Sequence, residues 1–217
     1  MHNIEVLYED NHLIAVRKPS GLLTQEAEGE KDSLENRIKE WLRITCHKPG
    51  QAFIGVVHRL DRPVSGIVLF AKTSKALTRL NDSIRKGEMH KTYRALVEGT
   101  LKSSHGTLEH HLRHDDYRSS ISVQSDPSAK LARLHYSVLE EQGSFSLVEI
   151  HLETGRYHQI RAQFSAIGHP VAGDVKYGAR KPLPDGAIAL QHTKLTFIHP
   201  VTKVPITVVC EPDKWTP

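Results

Sequence analysis

The run Ile67-Val68-Leu69-Phe70-Ala71 constrains this chain more than any other stretch. It is apolar throughout and does not alternate, so a strand built from it needs cover on both faces. Such a strand belongs inside a sheet with helices or further strands packed on it. Pro63 breaks the chain just before the run and Ser65-Gly66 opens it, which sets a kinked polar segment directly ahead of a rigid one. The run is also far shorter than the ~18 residues that suggest a membrane span.

Around that strand the periodicities predict an ordered set of elements. Residues 4–8 and 13–16 read as strands about an Asp10-Asn11 turn, and Lys18-Pro19-Ser20-Gly21 ends the second. Asp32 or Ser33 caps a helix over 34–45, where Leu34, Ile38, Trp41 and Leu42 follow a 3.6 period. A short strand near 53–58 precedes Pro63, and Ser74 precedes a helix that runs to about Lys86 and stops at Gly87. Strands follow at 91–97 and within 106–123, and two alternating stretches around Gly143 predict a hairpin. Ile160, Phe164 and Ile167 share one face of a helix ending at Gly168, which puts His158 and Arg161 together on its exposed side. Strands at 187–198 and 204–210 close the chain. The fold class is α+β, a mixed and mostly antiparallel sheet flanked by helices.

Length and composition bound the function. At 217 residues one domain, or one domain with two lobes, is the expectation, with a core large enough to need no disulfides. Only two cysteines, Cys46 and Cys210, are present, and the N-terminus has neither a signal-peptide nor a transit-peptide pattern, which together predict a cytoplasmic protein. Lys and Arg number 29 against 25 Asp and Glu, a mildly basic balance of +4 that is compatible with a nucleic-acid partner but forms no block of like charge. Dinucleotide, phosphate-loop, nucleophile-elbow and zinc-protease motifs are missing from the sequence. His110, His111 and His114 lie close together without a Cys or carboxylate at metal-site spacing, so a polar loop is the simpler reading.

Two segments carry chemistry. In Val57-His58-Arg59-Leu60-Asp61-Arg62-Pro63-Val64-Ser65-Gly66, Arg59 and Asp61 are two apart and point to one side in an extended chain. Spacing alone leaves two readings in balance: an ion pair that anchors the strand, or functional groups presented at its end. In Thr154-Gly155-Arg156-Tyr157-His158-Gln159-Ile160-Arg161, cations sit near a helix N-terminus, where the dipole gives them nothing. An anion would account for them, either a carboxylate on a neighbouring loop or a phosphate; a solvated basic face is the plain alternative.

HRLDRPVSG together with TGRYHQIR resembles the signature pair of the RluA-type pseudouridine synthases, enzymes that isomerise uridine within RNA. YEDNHLIAVRKPSGLL is similar to that family's opening segment, KTYRALVEG to its central strand, and HPVAGDVKYG and LQHTKLTFIHP to its closing segments, over about residues 4–209 in order. Val64 stands where the family usually has Thr, and Arg17 where Asn is common. The chain opens directly in the catalytic segments, so one catalytic domain over 1–217 is expected, without the N-terminal S4-type RNA-binding domain that many members carry.

The resemblance implies a pseudouridine-synthase-like fold with an active-site cleft across the sheet. It also implies a reaction that breaks N1–C1′ of uridine and joins C5 to C1′, with no cofactor and no metal. It assigns the catalytic carboxylate to Asp61, a stacking ring and proton relay to Tyr93, and the cation that keeps Asp61 charged to Arg161. Arg59 is implied to bind substrate by filling the gap an everted nucleotide leaves. Other cations, among them Lys86, Lys91, Arg94 and Arg156, would meet phosphates of a structured RNA, rRNA or tRNA, bound by a monomer. Two other readings compete: a non-catalytic RNA-binding or ribosome-assembly protein on the same fold, and a hydrolase, for which a second motif-borne acid is wanting.

Overall fold

The computed structural model describes residues 4–45 and 53–215, so Cys46 lies outside the described residues. The chain forms two compact units: the first is built from residues up to His90 together with His192–Glu211, the second from Lys91–Gln191 and the segment from Pro212 onward. Among the described residues no helix is long and apolar enough to cross a membrane.

In the first unit, strands β1 (Glu5–Glu9), β2 (Leu13–Lys18), β4 (Ser65–Ala71) and β10 (Leu190–Ile198) lie side by side in that order. The two-residue β3 (Gly55–Val56) pairs with β4, and β11 (Pro205–Val209) pairs antiparallel with β10. Every residue of β4 is buried, as its unalternating sequence requires. The turn before β2 is closed by Asp10, whose Oδ1 accepts the backbone N–H of His12 and Leu13 at 2.7 and 2.8 Å. Helix α1 (Leu34–Thr45) buries Leu34, Ile38 and Leu42, with Ser33 accepting the N–H of Asn36. Helix α2 (Ser74–Arg85) is capped by Thr73, whose hydroxyl accepts the N–H of Ala76. A core of Leu13, Ala15, Ile67, Leu69, Leu80, Leu195 and Phe197 fills the unit.

Gly66 is required where it stands. Its φ is +112°, and a Cβ there would come 2.3 Å from the carbonyl oxygen of His192 on the neighbouring β10.

The second unit is an antiparallel sheet in the order β5 (His90–Glu98), β9 (Phe145–Leu152), β8 (Lys130–Gln142), β6 (His105–Asp115) and β7 (Arg118–Ser122). The hairpin predicted around Gly143 is β8–β9, with Glu141 opposite Ser146. Residues 106–123 resolve into β6 and β7 around a tight turn. Helix α3 is shorter than its apolar period implies, Gln159–Ala166, with Ile167 at its C-cap. Its residues Gln159 through Phe164 are all buried. That overturns the expectation of an exposed basic face: Arg161 is 4% and His158 8% exposed. The polar side chains of α3 go inside because the strands offer them acceptors. Gln163 Nε2 donates to the carbonyls of Leu108 and Ala132 at 3.1 Å each, and Gln159 Nε2 to that of Arg133 at 3.1 Å.

Candidate active site

The loop Val57–Val64 is irregular, and its shape is dictated by the segment that follows β2. Thr24 Oγ donates to the carbonyl of Leu60 at 3.0 Å and accepts the Leu60 N–H at 3.1 Å. One side chain thereby completes both backbone groups of the residue before Asp61. On the other side of Asp61, the carbonyl of Arg62 accepts from Lys18 Nζ at 3.0 Å and from the Gly21 N–H at 2.9 Å. The carbonyl of Pro63 accepts the Ser20 hydroxyl at 2.9 Å, and a turn closes with the Val64 N–H on the Asp61 carbonyl at 3.0 Å. Asp61 itself is half-buried, and Arg59 is exposed. The backbone on either side of the carboxylate is therefore fixed by the Lys18–Thr24 segment, which is the pre-organisation a reacting group needs.

Lys18 is the centre of that clamp. It is fully buried, and its three ammonium protons go to the carbonyls of Pro19, Leu22 and Arg62 at 3.0, 2.7 and 3.0 Å. Burial pulls its pKa down to about 7, while the nearby Asp61 charge pushes it up and Arg62 pushes it down. Its sequence context does not single this lysine out, since a KPSG turn equally describes a surface strand end. The structure makes it the support of the Asp61 loop. Arg62 lies outward, its Nε on the carbonyl of Gly21 at 2.9 Å and its Nη1 3.0 Å from Glu30.

Asp61 and Arg59 belong to the first unit, Tyr93 and Arg161 to the second. Tyr93 sits in β5 opposite Ile150 and is buried. Arg161 is clasped by Asp174, with Nε on Oδ2 at 2.6 Å and Nη2 on Oδ1 at 2.9 Å, both side chains buried. The anion that α3 demanded is thus, for Arg161, a carboxylate on a neighbouring loop, in the bidentate form that suits a guanidinium. Asp174 lies in the HPVAGDVKYG segment, and no spacing rule connects it to a position 13 residues earlier. Arg156 spends its Nε on the carbonyl of Leu131 at 2.8 Å.

Beside this pair stands a second network that sequence reasoning missed. The Tyr177 ring lies under the Arg161 guanidinium at 4.9 Å, and its hydroxyl accepts the Ser119 N–H at 2.7 Å. The same hydroxyl lies 2.8 Å from His158 Nδ1. Burial, then the charges of Arg161 and Lys176, push His158 down to about 3, so the imidazole is neutral. His158 also adopts φ +50°, a left-handed backbone unusual for a residue with a Cβ, and Tyr157 stacks on its ring at 3.8 Å. Burial likewise lowers the pKa of Lys91. Among the described residues no group of three or more His, Cys, Asp or Glu side chains gathers as a metal site, and His110 Nδ1 is engaged with Gln163 Nε2 at 3.1 Å.

With this geometry in place, comparison with known proteins assigns the family. A family model for RNA pseudouridylate synthase matches residues 12–166, and the chain belongs to that family. A Bacillus subtilis protein described as an uncharacterized RNA pseudouridine synthase is 35% identical over 205 residues, covering 92% of this chain and 65% of its own length. The ribosomal large subunit pseudouridine synthase D of Zymomonas mobilis is 34% identical, covering 92% of this chain and 66% of its own length. The chain thus spans just under two thirds of these relatives. The solved structure of human RNA pseudouridylate synthase domain containing 4 superposes with a TM-score of 0.80 at 21% identity, over 97% of this chain and 89% of that one. That likeness concerns the fold, and it agrees with the α+β class read from the sequence.

Proposed function

We propose that this chain is an RNA pseudouridine synthase, a cytoplasmic monomer that converts particular uridines of a structured RNA to pseudouridine. The clamp on both sides of Asp61 is the observation that carries the reading. A carboxylate flanked by backbone groups of Leu60, Arg62 and Pro63 that one neighbouring segment holds can be kept at a fixed position while a base is detached and turned. In the reaction N1–C1′ breaks, C5–C1′ forms, C5 releases its proton to solvent and N1 ends protonated. We assign the catalytic carboxylate to Asp61, ring stacking and late proton relay to Tyr93, and the cation that keeps the carboxylate ionised to Arg161. Arg59, exposed beside Asp61, fills the space of the everted nucleotide. Several relatives are named for the large ribosomal subunit, so its RNA is the first substrate to try, with tRNA as the second.

The test is tritium release from RNA labelled at C5 of uridine. The parent should turn over, while Asp61→Asn should lose at least ~100-fold in rate with RNA affinity unchanged. Residual turnover near the parent rate would remove Asp61 from its role. A parent that binds RNA and never releases tritium would instead favour the non-catalytic RNA-binding reading. In the same assay Arg161→Met should shift the acid limb of the pH–rate profile upward, because a carboxylate without its cation ionises less readily. An unchanged profile would separate Arg161 from Asp61.

A further inference from the structure

We propose that the second unit carries a separate binding pocket for a single nucleotide, formed on the apolar floor between β5 and the segment 172–189 and closed on one side by Trp215. The cavity holds about 440 Å³, with Leu96, Phe145, Leu183 and Trp215 among its walls. That volume lies in the range of ligand sites and suits a purine with its sugar.

The floor is rigid. The Leu96 N–H donates to the carbonyl of Ala189 at 3.0 Å, Ala189 to Ala172 at 2.9 Å, and Ala172 to Leu96 at 2.9 Å, so three backbone segments are stitched in a ring. Gly173 completes it: with φ +86°, a Cβ there would meet Leu183 Cγ at 2.7 Å and the Ala187 carbonyl oxygen at 2.8 Å. The tail that brings Trp215 is tied to the same unit by the Asp213 N–H on Gln191 Oε1 at 2.7 Å.

The chemistry of the lining selects the ligand. Trp215 offers an indole on which a base stacks, a contact that serves any base. Arg180 and Lys181 add two cations to the same lining, so the ligand is planar and anionic. Arg180 is 84% exposed and its Nε stands 3.5 Å from Glu98 Oε2, a loose pair that leaves the guanidinium able to turn to a phosphate. Glu98 is itself fixed by the Arg180 backbone N–H on Oε1 at 2.8 Å, and its carboxylate can accept from the amino group of a base. The nucleotide has two possible sources, a free mononucleotide or an unstacked residue of the RNA; the second source rests on the proposed function, the pocket itself does not.

The chain has two tryptophans, so a Trp41→Phe background leaves Trp215 as the reporter. In that background AMP should quench the emission saturably with a Kd below about 1 mM, and adenosine should bind at least ~10-fold more weakly. Arg180→Ala with Lys181→Ala should weaken AMP by at least ~10-fold while circular dichroism stays that of the parent, and Ala189→Leu should block it by filling the floor. Hexaadenylate that displaces AMP identifies the RNA as the source, and AMP binding without such displacement identifies the free nucleotide; either supports the pocket. No saturable quenching by AMP or hexaadenylate, or equal affinity in the two folded variants, overturns it. Since no uridine is converted in the assay, its failure is distinct from a failure of the proposed activity.

Discussion

Lys18 illustrates how a single residue can decide whether the Asp61 loop holds its shape. Its ammonium supplies donors to three backbone carbonyls in a region closed to water. Replacing it by Met keeps the length and the apolar stem but leaves those carbonyls short of a donor, at a cost of about 1–3 kcal/mol for each group that no water reaches. Lys18→Met should therefore lower stability in urea unfolding and reduce the rate of tritium release. Its pH dependence is distinctive. The folded lysine sheds its proton near 7, whereas the unfolded chain keeps it until about 10.5. Between those values the unfolded state binds more protons, so this group adds stability as the pH rises through 7 and withdraws it as the pH falls. The difference in unfolding free energy between parent and Lys18→Met should grow from pH 7 to 9, by at most ~1.4 kcal/mol per pH unit. A difference that stays flat over that window would mean the ammonium remains charged inside the fold.

Strand β4 sets the geometry of the element above it. It emerges from the Asp61 loop, is buried along its full length, and passes so close to β10 that only a glycine fits at position 66. Gly66→Ala forces both a strained φ and a backbone clash with His192, so it should cost more than ~3 kcal/mol and leave little folded protein in thermal unfolding at 37 °C. Unfolding within ~1 kcal/mol of the parent would show that β10 can yield. The burial of β4 was legible in the sequence because a short apolar run without alternation, bounded by Pro and Gly, demands cover on both faces. The pairs β1–β2 and β8–β9 and helices α1 and α2 were legible for the same kind of reason, a clear period bounded by Pro, Gly or a capping hydroxyl, whereas the other strand pairings were not. Helix α3 was not. Its apolar stripe told the truth about Ile160 and Phe164, but Arg161 and Gln163 are buried by partners from other segments, and a period carries no record of a distant carboxylate or carbonyl. The Asp61 loop was recognisable by motif, whereas Lys18 and Thr24 acquire their meaning only when the chain folds back over 36 to 44 residues.

Among the described residues charge is spread along the chain, and part of it is engaged in ion pairs. The net +4 of 29 basic and 25 acidic side chains forms no run, and many arginines hold carboxylates: Arg37 with Asp32, Arg43 with Glu40, Arg113 with Asp115 and Arg133 with Glu109. Exposed pairs of this kind are worth little in water and can be exchanged for phosphate at small cost. A protein so arranged should grip RNA through a modest number of phosphate contacts rather than through a polybasic field. For roughly five such contacts to a single-stranded segment, raising salt from 50 to 200 mM should weaken binding by about 100-fold, since each contact releases condensed counterion. Fluorescence anisotropy with a labelled RNA measures the slope directly. A loss near ~10⁵-fold would reveal a much larger basic surface than the distribution of side chains provides. No salt dependence would separate the protein from nucleic acid altogether, because a phosphate backbone has no way to be held without displacing its ions. The slope also apportions sequence-independent grip from site selection. Contacts to base and sugar do not release counterions in this way, so the ratio of affinities for target and non-target RNA should change far less over the same range than either affinity alone.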